Sequence, residues 1–113
     1  MSHWIVDGMN VIGSRPDGWW RDRTGAMRAL AADLGRWAAQ TGERVTLVLD
    51  GRERDVGEHP GVEIRWAPVA DDLIAELVAA DAGVHVATSD RGLIARLGGT
   101  RIEGAKTFRE RLD

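Results

Sequence analysis

The chain has 113 residues, 43% of them hydrophobic and 29% charged, with a formal net charge of −3, a composition typical of one globular domain over residues 1–113. It contains no cysteine, which excludes disulfides, zinc–thiolate sites and cysteine nucleophiles. Because no apolar stretch approaches the roughly 20 residues of a membrane span and the N-terminus lacks a signal-peptide pattern, we expect a cytoplasmic protein with no membrane partner.

The hydrophobic pattern predicts strands that alternate with helices along the chain. Residues 8–23 carry glycine and proline and predict a loop. Short apolar runs predict strands at residues 4–6, 45–49, 62–66, 84–88 and 100–103, the third at a sheet edge. Helical spacing predicts a helix capped by Thr24 and ended by Gly42, one over Ala70–Asp81, one from Ser89 or Asp90, and a last one. This alternation predicts an α/β fold, a three-layer α/β/α sandwich with a mostly parallel sheet.

Acidic residues stand where the predicted strands end. Asp7 ends the first strand, Asp50 ends the second, Asp90 follows the fourth, and Asp71 opens the helix after the third. In an open parallel sheet, sites form at the carboxyl edge where the strand order reverses, and right-handed crossovers place strands one and four side by side. We therefore expect Asp7 and Asp90 to be neighbours in a central crevice, with the other two acids at the same edge.

Carboxylates held a few ångströms apart repel one another unless a proton or a cation lies between them. Hard oxygen ligands favour Mg²⁺ or Mn²⁺ over zinc, and the three histidines lack metal-ligand spacing. At about 100° per residue, Asp71 lies at the edge of its helix's apolar stripe whereas Asp72 faces water, so Asp71 is the site candidate. Each acid alone also fits a turn or a helix cap; the four together predict a site.

Three blocks of sequence occur in the order "VDGMNVIG", "ADDLI" and "VATSDRGL". Together they resemble the NYN nucleases, specifically the YacP-like branch of the PIN-like superfamily, and "LVLDG" also matches the family's second strand. The resemblance covers almost the whole chain. Two departures stand out: Met9 replaces a common tyrosine, and Val69 stands where a serine or threonine often caps the second helix.

This resemblance implies a PIN-like fold of Rossmann-like topology and a Mg²⁺- or Mn²⁺-dependent endoribonuclease. The proposed partner is RNA, in a ribosome-associated setting or in another. The residues that match the family's metal-binding, catalytic acids are Asp7, Asp71 and Asp90, with Asn10, Asp50 and Ser89 in support.

An aromatic and basic loop follows the first block. Trp19 and Trp20, with Arg15 and Arg21, are predicted to stack on bases and bind phosphates beside the metal. Arg91 is predicted to contact phosphate. The alternative for the loop is that one tryptophan ring packs on the core, or that the pair forms a surface for a homodimer or a partner protein.

Two further functions stay open on the sequence. One is a non-catalytic RNA- or ribosome-associated binding module with the same fold, favoured by the short chain and by Val69. The other is a receiver-like phosphoacceptor, since acids at strand ends also suit that fold. Phosphate-binding GxxxxGK[ST] loops and GxGxxG fingerprints are absent from the sequence, which argues against nucleotide-driven chemistry.

Overall fold

Five strands and five helices make up the described part of the chain; two helices lie between the first two strands, and a loop without a helix joins the second strand to the third. The computed structural model describes residues 2–113. The strands are β1 (His3–Asp7), β2 (Arg44–Asp50), β3 (Val62–Ala67), β4 (His85–Ala87) and β5 (Arg101–Glu103). The helices are α1 (Gly8–Ile12), α2 (Arg23–Thr41), α3 (Ala70–Ala80), α4 (Arg91–Arg96) and α5 (Ala105–Arg111), with a 3₁₀ turn at Trp19–Arg21.

All five strands run parallel in one sheet of order β3-β2-β1-β4-β5. The predicted α/β class, the edge position of β3 and the pairing of β1 with β4 are confirmed. The strand order reverses between β1 and β4, which is where open α/β sheets form their binding crevice. The receiver-like prediction is wrong, because that fold has the order 2-1-3-4-5, in which the first strand does not contact the fourth.

Helices cover both faces of the sheet and bury two apolar layers. Along β1 the side chains alternate, so Trp4 and Val6 join the layer under α1, α2 and α5, whereas Ile5 joins the layer under α3 and α4. Phe108 and Trp37 pack on Trp4, with ring centroids 5.1 and 5.8 Å from it. The sheet is therefore the middle layer of three, and its carboxyl edge is left for the site.

The prediction of a loop over residues 8–23 is wrong in part, because β1 runs directly into α1. Gly8 makes this possible: a Cβ there would lie 2.5 Å from Leu49 Cδ2 and 2.9 Å from the Val48 carbonyl oxygen. Val11 and Ile12 are buried on α1, so tertiary packing overrides the local turn composition. No turn separates the end of β1 from the helix that follows it.

The N-terminal cap of α2 also differs from the prediction. Asp22, not Thr24, caps the helix, and its Oδ1 accepts from the Gly25 N–H at 2.9 Å. The helix ends at Gly42 as predicted, in the left-handed conformation with φ of 76°. Among residues 2–113, no helix is both long and apolar enough to cross a bilayer.

We predict that Gly8→Ala lowers the free energy of unfolding by about 1–3 kcal/mol, because the added methyl meets backbone that cannot yield cheaply. Gly99→Ala is the matched control, since a Cβ at Gly99 has no heavy atom within 4 Å. Urea denaturation followed by tryptophan fluorescence measures both. Equal stability of the two variants would show that the close approach at Gly8 is unimportant.

Candidate active site

The four predicted acids lie at one edge of the sheet. Asp7 is the last residue of β1 and Asp50 is the last residue of β2. Asp90 caps α4, which follows β4, and Asp71 lies in the first turn of α3. Because the strands are parallel, these positions all fall at carboxyl ends, around the crevice where the strand order reverses. The predicted common edge is confirmed.

Asp7 is the buried acid of this crevice, with 4% of its surface exposed. Burial, and after it repulsion by Asp71, Asp50 and Asp90, raises the pKa of Asp7 to about 6, against the lowering effect of a hydrogen bond from Thr88. The Thr88 hydroxyl donates to Asp7 Oδ2 at 2.8 Å and joins β1 to the segment after β4. The fold thus holds a carboxylate where negative charge is disfavoured unless a positive charge comes close.

Asp50 positions the helix that carries Asp71. Its Oδ1 accepts from the Ala70 N–H at 3.0 Å, whereas Val69, the N-cap residue of α3, makes no side-chain capping bond. Asp50 on the neighbouring strand therefore supplies the cap that Val69 cannot provide. The start of α3 is fixed to the end of β2, and Asp71 is placed with it.

Asp71 and Asp72 are separated as the helical spacing predicts. Asp72 is exposed and pairs with Arg96, with 2.9 Å between Oδ1 and Nη1. Asp71 is half-buried, and burial raises its pKa, followed by repulsion from Asp90 and Asp50. Asp71 is therefore repelled by the other acids of the crevice, while Asp72 faces solvent.

Ser89 connects the crevice to two helices. Its N–H donates to Asn10 Oδ1 at 2.8 Å, and Asn10 lies on α1. Its Oγ accepts from the Ala105 N–H at 2.8 Å, at the start of α5. Asn10 and Ser89, both predicted to support the site, thus hold each other and hold α5 against the end of β4.

Asp90 lies at the crevice and also caps a helix. Its Oδ1 accepts from the Leu93 N–H at 3.0 Å and caps α4, while its own N–H donates to Thr88 Oγ1 at 3.1 Å. Among residues 2–113, no hydrogen bond is assigned to Asp90 Oδ2 or to Asp7 Oδ1. Each carboxylate therefore keeps one oxygen free.

The donor set suits a hard divalent cation in its chemistry. It consists of carboxylate oxygens on groups whose mutual repulsion a cation relieves. Across residues 2–113, however, no three histidine, aspartate or glutamate side chains are placed closely enough to hold a metal ion as they stand. The crevice thus gathers the acids without closing them into a complete ligand set, and the metal site stays a prediction.

The predicted aromatic loop is divided between core and solvent. Trp19 is half-buried and packs against the larger core, and the Arg23 guanidinium lies 5.3 Å from its ring centroid. Trp20 is 52% exposed and stands edge-on to Trp19 at 5.8 Å. Packing of one ring on the core is confirmed, which leaves Trp20 as the ring with a free face.

The three arginines proposed for RNA contact differ in their surroundings. Arg15 forms an ion pair with Asp113. Arg21 is exposed on the 3₁₀ turn, and Arg91 is exposed at the start of α4, directly after Asp90. Arg91 is therefore the arginine that adjoins the acids in sequence.

Sequence reasoning missed two features beside the crevice. One is the role of Thr88, whose hydroxyl donates to Asp7; the signal for it is a buried threonine at a strand end, close in sequence to an acid. A small cavity of about 380 Å³ is lined by Asn10, Ser14, Ser89 and Lys106, among others. Lys106 is the only lysine of the chain, and it lies on the side of the crevice formed by α1 and α5.

Two solved structures share this architecture. The structure of Rae1 (YacP) from Bacillus subtilis is 27% identical, covers 98% of this chain and 74% of that one, and superposes with a TM-score of 0.79. A mutant of the same protein gives 26% identity, 98% and 75% coverage and the same TM-score. The chain has a YacP-like fold. No protein-family model and no curated protein sequence matches it.

We predict that Asp50→Ala lowers the free energy of unfolding by about 1 kcal/mol, because α3 of this YacP-like fold loses its cap. Adding Val69→Thr should restore most of the loss, since threonine at the N-cap supplies an acceptor within the helix. Thermal denaturation of the single and double variants tests this. If Val69→Thr stabilises wild type and Asp50→Ala equally, the two positions are not capping the same helix end.

We predict that Asp7→Asn raises the free energy of unfolding above pH 7 in EDTA by up to about 3 kcal/mol. The pKa of Asp7 is raised in the folded state from 3.8 to about 6, so its ionisation destabilises the fold above pH 6, and this cost disappears below about pH 4. The gain should therefore shrink as the pH falls through this window.

Urea denaturation of both proteins between pH 4 and pH 8 measures the difference. Asp17→Asn is the control, because Asp17 is exposed. A gain from Asp7→Asn that is the same at both ends of the pH range would contradict the prediction.

Proposed function

We propose that this protein is a Mg²⁺- or Mn²⁺-dependent endoribonuclease that hydrolyses RNA phosphodiester bonds at the crevice between β1 and β4. The observation that carries the proposal is Asp7, a buried carboxylate whose ionisation is disfavoured by burial and by repulsion from three other acids. Natural folds keep such a repulsive cluster where a cation or a reaction requires it. The YacP-like fold and the sequence resemblance to the YacP-like NYN nucleases support RNA as the substrate.

Asp7, Asp71 and Asp90 are the proposed metal ligands and catalytic acids. A divalent cation, when bound, supplies a Lewis acid that polarises the phosphodiester and makes water a better nucleophile. The chain's own contribution is position: Thr88 holds Asp7 by its hydroxyl, and Asp50 holds the start of α3 behind Asp71. None of these acids needs to form a covalent intermediate.

The proposed RNA contacts come from the surface beside the crevice. Trp20 offers an exposed ring for base stacking. Arg21 and Arg91 are exposed and offer planar, bidentate donors to phosphate. Arg15 and Trp19 belong to the same proposed surface, although each already has an intramolecular partner. A cytoplasmic location and an association with ribosomes are part of the proposal.

A second candidate function is a non-catalytic RNA-binding module. Two observations favour it: Asp50 and Asp90 each use one oxygen to cap a helix, and no complete ligand set is formed among residues 2–113. In that case the acids serve the fold alone and the exposed loop binds RNA without cleaving it.

We predict that Asp71→Asn lowers the rate of RNA cleavage in Mn²⁺ by about 100-fold or more, because losing even an outer-shell partner of a metal ligand costs about 10–100-fold. Asp72→Asn is the matched control on the next residue, and it should retain activity, because its exposed ion pair with Arg96 contributes little. The assay uses end-labelled single-stranded and structured RNAs with Mn²⁺, Mg²⁺ or EDTA.

Cleavage that persists in EDTA and in Asp71→Asn would come from a contaminant and would end the nuclease proposal. Calorimetric titration with Mn²⁺ separates the two functions. Binding to wild type that is lost in Asp7→Asn supports the nuclease. RNA binding that needs Trp20, without Mn²⁺ binding or cleavage, identifies the binding module.

A further inference from the structure

The edge strand β3 presents an open side to solvent. It pairs only with β2, over six residues, whereas the strand at the opposite edge, β5, has three. Proteins usually blunt long sheet edges, because an unpaired strand is a template for another one. The brevity of β5 protects that edge, and β3 lacks the same protection.

The backbone of β3 shows which of its groups are free. Val45 donates to the Gly61 carbonyl and Gly51 donates to the Ala67 carbonyl, so the odd-numbered residues of this stretch direct their amides towards β2. Because the direction alternates along a strand, Ile64 and Trp66 direct theirs away from the sheet. Over residues 2–113, no hydrogen bond outside the sheet is assigned to the backbone of either residue.

The side chains of β3 also alternate, and the alternation is symmetrical about Ile64. Glu63 and Arg65 stand on one face with 62% and 44% of their side chains exposed, and their charged atoms are 3.8 Å apart. Val62, Ile64 and Trp66 stand on the other face and are half-buried. An acid and a base therefore flank the centre on one face, and a small and a large apolar residue flank it on the other.

We propose that β3 pairs antiparallel with β3 of a second copy of this chain, about a two-fold axis at Ile64. In this register Glu63 lies opposite Arg65 of the second copy, and Val62 lies opposite its Trp66. Ile64 exchanges both backbone hydrogen bonds with its own counterpart. A two-fold contact must be self-complementary, and this strand is self-complementary in charge and size, and in hydrogen bonding at Ile64. The Val62 N–H already donates to the His59 carbonyl, so Val62 offers Trp66 of the second copy its carbonyl alone.

Neighbouring registers are disfavoured by the same charges. An axis at Glu63 sets two glutamates opposite each other, and an axis at Arg65 sets two arginines opposite each other, which is destabilising across strands. Of the three registers centred on residues 63, 64 and 65, the charges on β3 therefore favour the one centred on Ile64.

A groove beside β3 leaves room for the second copy. It has a volume of about 950 Å³ between residues 53–60 and the apolar face that carries Val62, Ile64 and Trp66. Three acids (Glu53, Asp55 and Glu58) and one arginine (Arg54) line its other side. An acidic lining disfavours RNA, so this apolar face suits a protein strand, and the symmetry of β3 identifies that strand as its own copy.

The test is a charge swap measured by sedimentation velocity, from micromolar concentrations to the highest that are soluble. Wild type should show a monomer–dimer equilibrium. Glu63→Arg or Arg65→Glu alone creates two like-charge contacts per dimer and should raise the dimer dissociation constant by about tenfold or more. The double variant Glu63→Arg with Arg65→Glu restores both pairs and should dimerise like wild type.

Mixing the two single variants gives a second result that pairing through β3 predicts. One copy then carries two arginines and the other two glutamates, so a heterodimer should form where neither variant dimerises well alone. Wild type that stays monomeric throughout, a dimer insensitive to the single variants, or a double variant that is not restored would each overturn the proposal. So would a dimer that Trp20→Ala abolishes, because that result places the contact at the tryptophan loop.

A covalent readout covers the case in which charge reversal harms folding. The chain has no cysteine, so Ile64→Cys places one thiol on the proposed axis, where antiparallel neighbours are about 5.5 Å apart between Cα atoms. Under mild oxidation it should form a disulfide-linked dimer rapidly. Ala95→Cys, at an exposed position on α4, is the control, and equal rates for the two would count against pairing at Ile64.

Discussion

The crevice depends on one buried hydrogen bond, from the Thr88 hydroxyl to Asp7 Oδ2. It joins the ends of β1 and β4 at the point where the strand order reverses. It also lowers the pKa of Asp7, against the raising effects of burial and of three neighbouring acids. Gly8 adds the second condition, since only a residue without Cβ lets β1 pass into α1 so close to Val48 and Leu49. The position of Asp7 therefore follows from packing, and its ionised form lowers the free energy of unfolding.

Around Asp7, the polar residues of the site also begin the helices. Asp50 caps α3, Asp90 caps α4, and the Ser89 hydroxyl accepts from the first residue of α5. The structural and functional explanations of these residues are thus compatible, because a carboxylate has two oxygens and a cap uses one. A helix cap fixes the position of the carboxylate and leaves its second oxygen available for another partner.

Patterns that act over a whole sheet could be predicted from the sequence. The pattern of strands and helices, handed crossovers and acids at strand ends were sufficient to predict a parallel sheet, the edge position of β3, the pairing of β1 with β4 and the edge that carries Asp7. Contacts between distant segments were not predictable. The α1 helix contains residues typical of turns, so its sequence does not predict a helix. Asp22 and Thr24 fit the cap of α2 equally well, and the structure uses Asp22. The hydrogen bond from the Ala70 N–H to Asp50 replaces a cap that the sequence of α3 lacks.

The crevice and the β3 edge are independent parts of the sheet, because β2 lies between β3 and β1. A two-fold axis at Ile64 runs perpendicular to the joined sheet and reverses the direction of every strand in the second copy. The carboxyl edges of the two copies then face opposite ways, so their crevices open at opposite ends of the dimer. In the proposed dimer, each crevice would therefore form its proposed RNA-binding surface from its own chain, and the exposed Trp20, Arg21 and Arg91 are the groups proposed for it.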